Sequence, residues 1–299
     1  MASLHGCLAP AKLNLFLHVT GRRADGYHLL QTVFQMLDHG DTLDFDVRPD
    51  GRIVRTTDVP GVPAQQDLIV RALALLQNAF QQRHGQPAPG MDVAIHKILP
   101  MGGVLGGGSS DAATALLAAN RLWEAGFTQD ELMALALPLG ADVPFFIFGE
   151  TAFAEGVGEA LQAVPGPDVW FVVLEPGVAV PTPAIFSAAG LTRNTKAVTI
   201  SDFSRHLNAS QGLTGFGKND LQAVAVTLFP RVAQALDWLQ QYGDARMTGS
   251  GACVFCAFAS EAEADHVLAT MAGVWKGWKA RSLKRHPLKS LLHNSCKVE

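Results

Sequence analysis

Apolar and polar positions alternate from residue 9 to 19. Ala11, Leu13, Leu15, Leu17 and Val19 fall on one face, with Lys12, Asn14, Phe16 and His18 on the other. A period of two predicts a strand with one apolar side, from which Lys12 and Asn14 project together. Further strands follow at Leu29–Leu37 and Thr42–Val47, on either side of an expected turn at Asp38, His39 and Gly40, with another near Arg52–Thr56. The period then changes: Ile69, Ala72, Leu73, Leu76 and Phe80 predict an amphipathic helix over Asp67–Gln82, with Asp67 as its N-cap. Met91–Leu99 alternates again as a strand, and the Ala/Leu-rich run Ala112–Trp123 reads as a helix.

In the second half, capping-box patterns at Thr128/Glu131 and Ser260/Glu263 open helices, the first ending near Leu139. Other helices are expected from Asn219 and from Pro230 to near Tyr242, with strands at Ala152–Glu155, Trp170–Glu175, Ala252–Phe258 and Val274–Leu283. Pro176–Phe186 reads as a loop, residues 190–218 as a mobile surface excursion and 289–299 as a polar tail. Irregular alternation with early hairpins predicts an α+β chain of two domains, 1–163 and 164–299, joined across Val157–Pro167.

Between the strand at 91–99 and the helix at 112–123 lies the most informative stretch: Pro100, Met101, Gly102, Gly103, Val104, Leu105, Gly106, Gly107, Gly108, Ser109, Ser110 and Asp111. Glycine lets a turn take positive φ and lets backbone N–H groups close on a ligand. Ser109, Ser110 and Asp111 stand where an N-cap is expected, and a helix N-terminus binds phosphate. A Walker loop needs Lys after its last Gly, but Ser109 follows Gly108. No register satisfies Gly-x-Gly-x-x-Gly either. A flexible linker is disfavoured by apolar Val104 and Leu105 and by the close flanking elements, leaving an anion-binding loop. Lys97 stands just upstream, either approaching a nucleotide or solvated.

Composition narrows the setting. With 48% hydrophobic and 17% charged residues in 299, the chain is globular rather than disordered. A net charge of −4 argues against a basic nucleic-acid face. Residues 1–20 lack a signal-peptide pattern, and no apolar run is long enough to span a bilayer. Of the four cysteines, Cys253 and Cys256 have zinc-like spacing but no second pair, and their strand pattern makes them core thiols. These features suit a reduced, cytoplasmic protein without nucleic-acid or membrane partners.

Six stretches together resemble the GHMP kinases over nearly the whole chain. Pro10–Leu15 is similar to that family's first motif, whose lysine lies in the active site. Pro100–Ala113 resembles the second, which holds phosphate, and Thr248–Ala252 the third. Gly21–His28, Gly140–Pro144 and Pro176–Phe186 resemble a branch acting on a cytidylyl sugar alcohol, 4-diphosphocytidyl-2-C-methyl-D-erythritol. From the residues alone, Asp142 is as readily a turn residue as a functional acid.

The resemblance implies a two-domain α+β architecture with its site in the interdomain cleft. It also implies ATP and Mg²⁺ as cofactors, with the metal ligands unassigned, and phosphorylation of the substrate's 2-hydroxyl. Asp142 would be the base and Lys12 its charge partner. Residues 100–110, with Lys97, would bind ATP; Asn14, Tyr27, His28, Thr182 and Phe186 would bind substrate. Two departures stand out: Val104, where Gly or Ala is common, and Asp67, where an Asn near the adenine is usual. A homoserine or mevalonate kinase should lack the 22–28 and 182–186 stretches, and a non-catalytic nucleotide-binding module should have lost Lys12 or Asp142.

Overall fold

The computed structural model describes residues 2–102, 104–211 and 213–292. The first half begins with two long strands, β1 (Ser3–Arg22) and β2 (His28–Arg48), followed by β3 (Ile53–Arg55). Helix α1 (Leu68–His84) leads to β4 (Gly90–His96), α2 (Gly107–Leu122), α3 (Gln129–Ala136), α4 (Val143–Phe148), β5 (Ala152–Glu155) and β6 (Ala160–Ala163). The second half comprises β7 (Trp170–Glu175), α5 (Thr182–Ser187), α6 (Ile200–His206), α7 (Gln222–Leu228) and α8 (Pro230–Gln240). It ends with β8 (Arg246–Met247), β9 (Val254–Phe258), α9 (Glu261–Met271) and β10 (Lys276–Leu283).

β2 is the hub of the first half. It pairs antiparallel with β1 along almost its whole length, with β5 near Thr32–Phe34 and with β4 over Thr42–Arg48. The turn expected at Asp38–Gly40 does not form. These residues stay in the strand because β1 crosses them: Pro10 pairs with Gly40, and a Cβ on Gly40 would lie 2.0 Å from the Ala9 carbonyl oxygen. Only glycine permits that approach. β10 joins the halves, pairing with β7 over Lys276–Arg281 and with β2 at Ser282 and Leu283.

The N-terminal helices cover one apolar cluster, centred on α2, whose residues from Ser110 to Asn120 are all buried. Its alanines let α1 and α4 pack close. A second cluster lies under α7, α8 and α9. A third, with Phe16, Phe153, Phe171, Phe203 and Phe255, draws on both halves of the chain.

The 190–218 stretch is not a surface excursion in its described residues. α6 is capped by a Thr199/Asp202 box and buries Phe203 completely, and Phe216 packs edge-on against Phe16. Residues 287–292, the front of the expected tail together with what precedes it, form a 3-10 turn whose Lys289 Nζ donates to the Phe148 carbonyl. The rest of the tail, with Cys296, lies outside the described residues.

Just before that turn stands His286, which is 2% exposed. Its Nδ1 accepts from Leu288 N–H and its Nε2 faces Thr114 Oγ1 at 3.3 Å. Burial pushes its pKa down to about 3. The unfolded chain therefore takes up this proton first as pH falls below 6.5, so stability is full above that value and drains away towards pH 3. Between pH 7 and 5 the loss should be about 2 kcal/mol. In urea unfolding, His286→Asn should show a pH dependence weaker by that amount; an unchanged dependence would remove His286 from the acid response.

Candidate active site

The Gly-rich stretch joins β4 to α2. α2 starts at Gly107, five residues earlier than expected, so Ser109, Ser110 and Asp111 lie in its first turns rather than at the cap. The N-cap is Gly106, at φ 78° and with no side-chain capping bond. The helix N-terminus is thus left open for an anion. Gly106 is crowded as well: a Cβ would fall 2.7 Å from Phe146 and 3.1 Å from Lys12 Cγ. The Leu105 carbonyl accepts from Lys12 N–H at 2.9 Å, and the Leu105 side chain is fully buried. Gly103 lies outside the described residues.

β1 thus brings Lys12 against the loop. Lys12 is 4% exposed, and its ammonium donates to Asn14 Oδ1 at 2.9 Å. It also sits 4.7 Å from the centre of the Phe34 ring and 3.3 Å from Asp142 Oδ2. Asp142 precedes α4 without capping it, and its side chain is about a third exposed. A buried ammonium beside a carboxylate that still reaches solvent is a combination able to take a proton from a hydroxyl and offset developing charge. Asn14 is fixed on both sides: its N–H donates to Thr248 Oγ1 at 2.8 Å, and its Nδ2 to Thr32 at 3.0 Å.

Thr248 opens the second glycine loop, which rests on the first. A Cβ on Gly249 would lie 2.8 Å from Val104 Cβ, so the Val104 side chain is spent on this inter-loop contact. Asn219 Nδ2 donates to the Met247 and Gly249 carbonyls and holds that loop in place.

Two cavities flank these groups. The smaller, about 270 Å³, is lined by Val59, Val62, Gln66, Asp67, Leu68, Ile95, Lys97, Pro100, Met101, Gly102, Gly107, Gly108 and Asp111. Asp67 Oδ1 caps Ile69 N–H as expected, while Oδ2 accepts from Arg55 at 2.5 Å. Lys97 is ion-paired rather than freely solvated. Its ammonium is bound to Asp41 Oδ2 at 2.6 Å and Asp111 Oδ2 at 2.8 Å, while Asp41 Oδ1 accepts from Ile98 and Leu99 N–H. Burial pushes Asp111 up to about 8, with Lys97 opposing and Asp41 adding to the rise.

The larger cavity, about 660 Å³, is lined by Arg22, Tyr27, His28, Leu30, Thr182 and Phe186, and also by Ala141, next to Asp142. Phe186 and His28 lie 4.9 Å apart with their rings 31° from parallel, and Tyr27 is 66% exposed. Thr182 starts α5, where a loop was expected, and its hydroxyl meets Ser250 Oγ at 2.6 Å.

The family models described as "GHMP kinases N terminal domain" and "GHMP kinases C terminal" match residues 67–150 and 193–277. A 4-diphosphocytidyl-2-C-methyl-D-erythritol kinase of Janthinobacterium sp. (strain Marseille) is 64% identical over 286 residues, covering 96% of this chain and 97% of that protein. One of Azoarcus sp. (strain BH72) is 57% identical over 289 residues, covering 97% and 98%.

The chain belongs to the GHMP kinase family, in the 4-diphosphocytidyl-2-C-methyl-D-erythritol kinase branch.

A crystal structure of 4-(cytidine 5'-diphospho)-2C-methyl-D-erythritol kinase superposes with a TM-score of 0.78 at 31% identity, covering 94% of this chain and 99% of that one. A homoserine kinase from Cytophaga hutchinsonii shares the fold alone, with a TM-score of 0.71 at 15% identity and 96% coverage of both chains. As a GHMP kinase the chain is an ATP-dependent small-molecule phosphotransferase, and its α+β architecture is that of the family.

Two residues near these groups carry no sequence signal. Asp41 sits in an unremarkable Gly-Asp-Thr, yet it ties Lys97 and the exit of β4 to β2. Arg193 lies in the segment read as an excursion, yet it reaches His28. Among the described residues no helix is long and apolar enough to cross a bilayer. Cys7, Cys253 and Cys256 are buried free thiols, and burial pushes them up to about 11, 12 and 12. No cluster of three or more His, Cys, Asp or Glu suited to a metal occurs among the described residues.

Proposed function

We propose that this chain transfers the γ-phosphoryl group of ATP to the 2-hydroxyl of 4-diphosphocytidyl-2-C-methyl-D-erythritol, a step of the non-mevalonate route to isoprenoid precursors. The observation that carries the reading is the Lys12–Asp142 pair, set between an open helix N-terminus and a pocket walled by Tyr27, His28 and Phe186. Flat rings with polar edge groups suit a pyrimidine. The hydroxyl gives its proton to Asp142, its oxygen bonds to the γ-phosphorus, and the bond to the β-phosphate oxygen breaks to release ADP. Lys12 offsets the charge that builds on the transferred group.

The smaller cavity would receive the nucleotide base, and residues 100–110 its phosphates. Ser110 Oγ and Asp111 Oδ1, buried in the first turns of α2 without hydrogen-bond partners, are hard oxygen donors suited to Mg²⁺. Together with phosphate oxygens they would hold that ion, which neutralises phosphate charge when bound. We keep the division at 163/164 for the nucleotide and substrate domains, with β10 crossing back to β2. Buried free thiols accord with a reducing, cytoplasmic setting.

A coupled ADP-release assay with the cytidylyl substrate, homoserine and mevalonate tests the reading. Turnover is expected with the first; turnover with only one of the other two would overturn it. The phosphate loop has its own test at Gly108, which is exposed and where a Cβ would meet only Leu68 Cδ1, at 3.5 Å. A valine at Gly107 would press on Lys97 and Asp41 at 3.4 Å, so Gly108 is the cleaner position. Gly108→Val should weaken ATP binding about tenfold or more with an unaltered melting curve, because a branched side chain blocks backbone approach to phosphate. Unchanged titration calorimetry would remove the loop from the nucleotide site.

A further inference from the structure

Arg193 ties the two walls of the larger pocket together. Its Nε donates to His28 Nε2 at 3.2 Å. One terminal nitrogen donates to the Leu191 carbonyl at 3.1 Å, the other to the carbonyls of Phe186 at 3.0 Å and Ala188 at 2.8 Å. The last two bonds close the C-terminal end of α5, the helix that carries Thr182 and Phe186. Four donor contacts from one rigid fork thus hold α5 and the start of β2 in a fixed relation.

A guanidinium cannot accept a hydrogen bond and stays protonated. His28 Nε2 must therefore be the acceptor, and in the neutral ring the proton sits on Nδ1. Burial, then the charges of Arg193 and Arg22, lower its pKa from the ordinary imidazole value, in the direction that favours the neutral ring. Nδ1, on the ring edge away from Nε2, has no hydrogen-bond partner among the described residues, and His28 lines the cavity.

We infer that Arg193 is a positioning residue that sets base choice: by locking His28 as its Nδ1–H tautomer, it makes the pocket favour a pyrimidine with a bare acceptor at N3. Cytosine has that acceptor, whereas uracil carries N3–H, which would meet a second donor. This rests on the function proposed above.

The test compares CMP and UMP as competitive inhibitors against the cytidylyl substrate, in the wild type and in Arg193→Met, which keeps an apolar stem but no donor. The wild type should prefer CMP about tenfold or more, because a donor facing a donor leaves both unpaired. In Arg193→Met the imidazole can exchange tautomers, so the preference should shrink to about threefold or less. KM for the cytidylyl substrate should rise about tenfold, with kcat and KM for ATP little changed. In ¹⁵N spectra of the wild type, His28 Nδ1 should carry the pyrrole-type signal and Nε2 the pyridine-type signal.

The inference is overturned if wild-type His28 is protonated on Nε2, or if folded Arg193→Met keeps the full CMP preference. Should the variant not fold, the wild-type spectrum decides alone. A wild type that neither phosphorylates the cytidylyl substrate nor binds CMP would overturn the proposed function itself. Normal wild-type turnover with an unmoved preference in the variant would overturn this inference alone.

Discussion

Asp142→Asn is expected to lower kcat by about 10²–10⁴-fold while ATP binding stays within error, since positioned proton transfer supplies an acceleration of that order. The amide keeps the shape of the carboxylate and removes only its capacity to take the proton. The fold should tolerate the change. Asp142 caps nothing and is a third exposed, and Lys12 retains Asn14 Oδ1 at 2.9 Å and the Phe34 ring. Single-turnover rates with titration calorimetry separate chemistry from binding. Turnover like the wild type's would show that Asp142 is not the base.

The second large effect is at the other end of that pair. Lys12→Met preserves the stem that packs beside Gly106 and Phe146 and deletes the ammonium. The transition state then loses a preorganised charge in a nearly dry position, so kcat should fall by about 10²–10³-fold. Asp142 remains solvated through its exposed edge, and the melting temperature should barely move. Lys12→Arg should not restore activity, because a planar fork cannot occupy a point-charge site closed by Asn14 and Phe34. Retention of more than a tenth of the wild-type rate by Lys12→Met would place the charge stabilisation elsewhere.

Local rules carried the sequence reading where one segment decides its own structure. The capping boxes at Thr128 and Ser260 form as expected, and the five apolar residues predicted to face inward from α1 are the ones it buries. The glycine loop was legible because its composition has few other uses, and the alternation around Lys12 and Asn14 placed both on β1. What remained hidden depends on partners distant in sequence. Gly40 reads as a turn until Ala9 is known to press on it. Gly107 and Gly108 read as part of the turn before the helix, yet they open α2, and a Cβ on the first would meet Lys97 and Leu99 at 3.4 Å. Asp41 and Asp111 gain their meaning only when Lys97 lies between them. Polar composition made 190–218 look like an excursion, although Phe203 and Phe216 anchor it to the third cluster and Arg193 reaches the pocket. The departures at Val104 and Asp67 are likewise settled by partners: Gly249 for one, Arg55 and the α1 cap for the other.

The position of the transferred phosphate tests the central claim most directly. C2 of the substrate carries a methyl group and no hydrogen, so a phosphate on its hydroxyl has no proton three bonds away. In a proton-coupled ³¹P spectrum of the product, the new phosphomonoester should be a singlet beside the unchanged diphosphate, appearing in step with ADP. A doublet or triplet would place the phosphate on a secondary or primary hydroxyl and contradict the proposed transfer to the 2-hydroxyl.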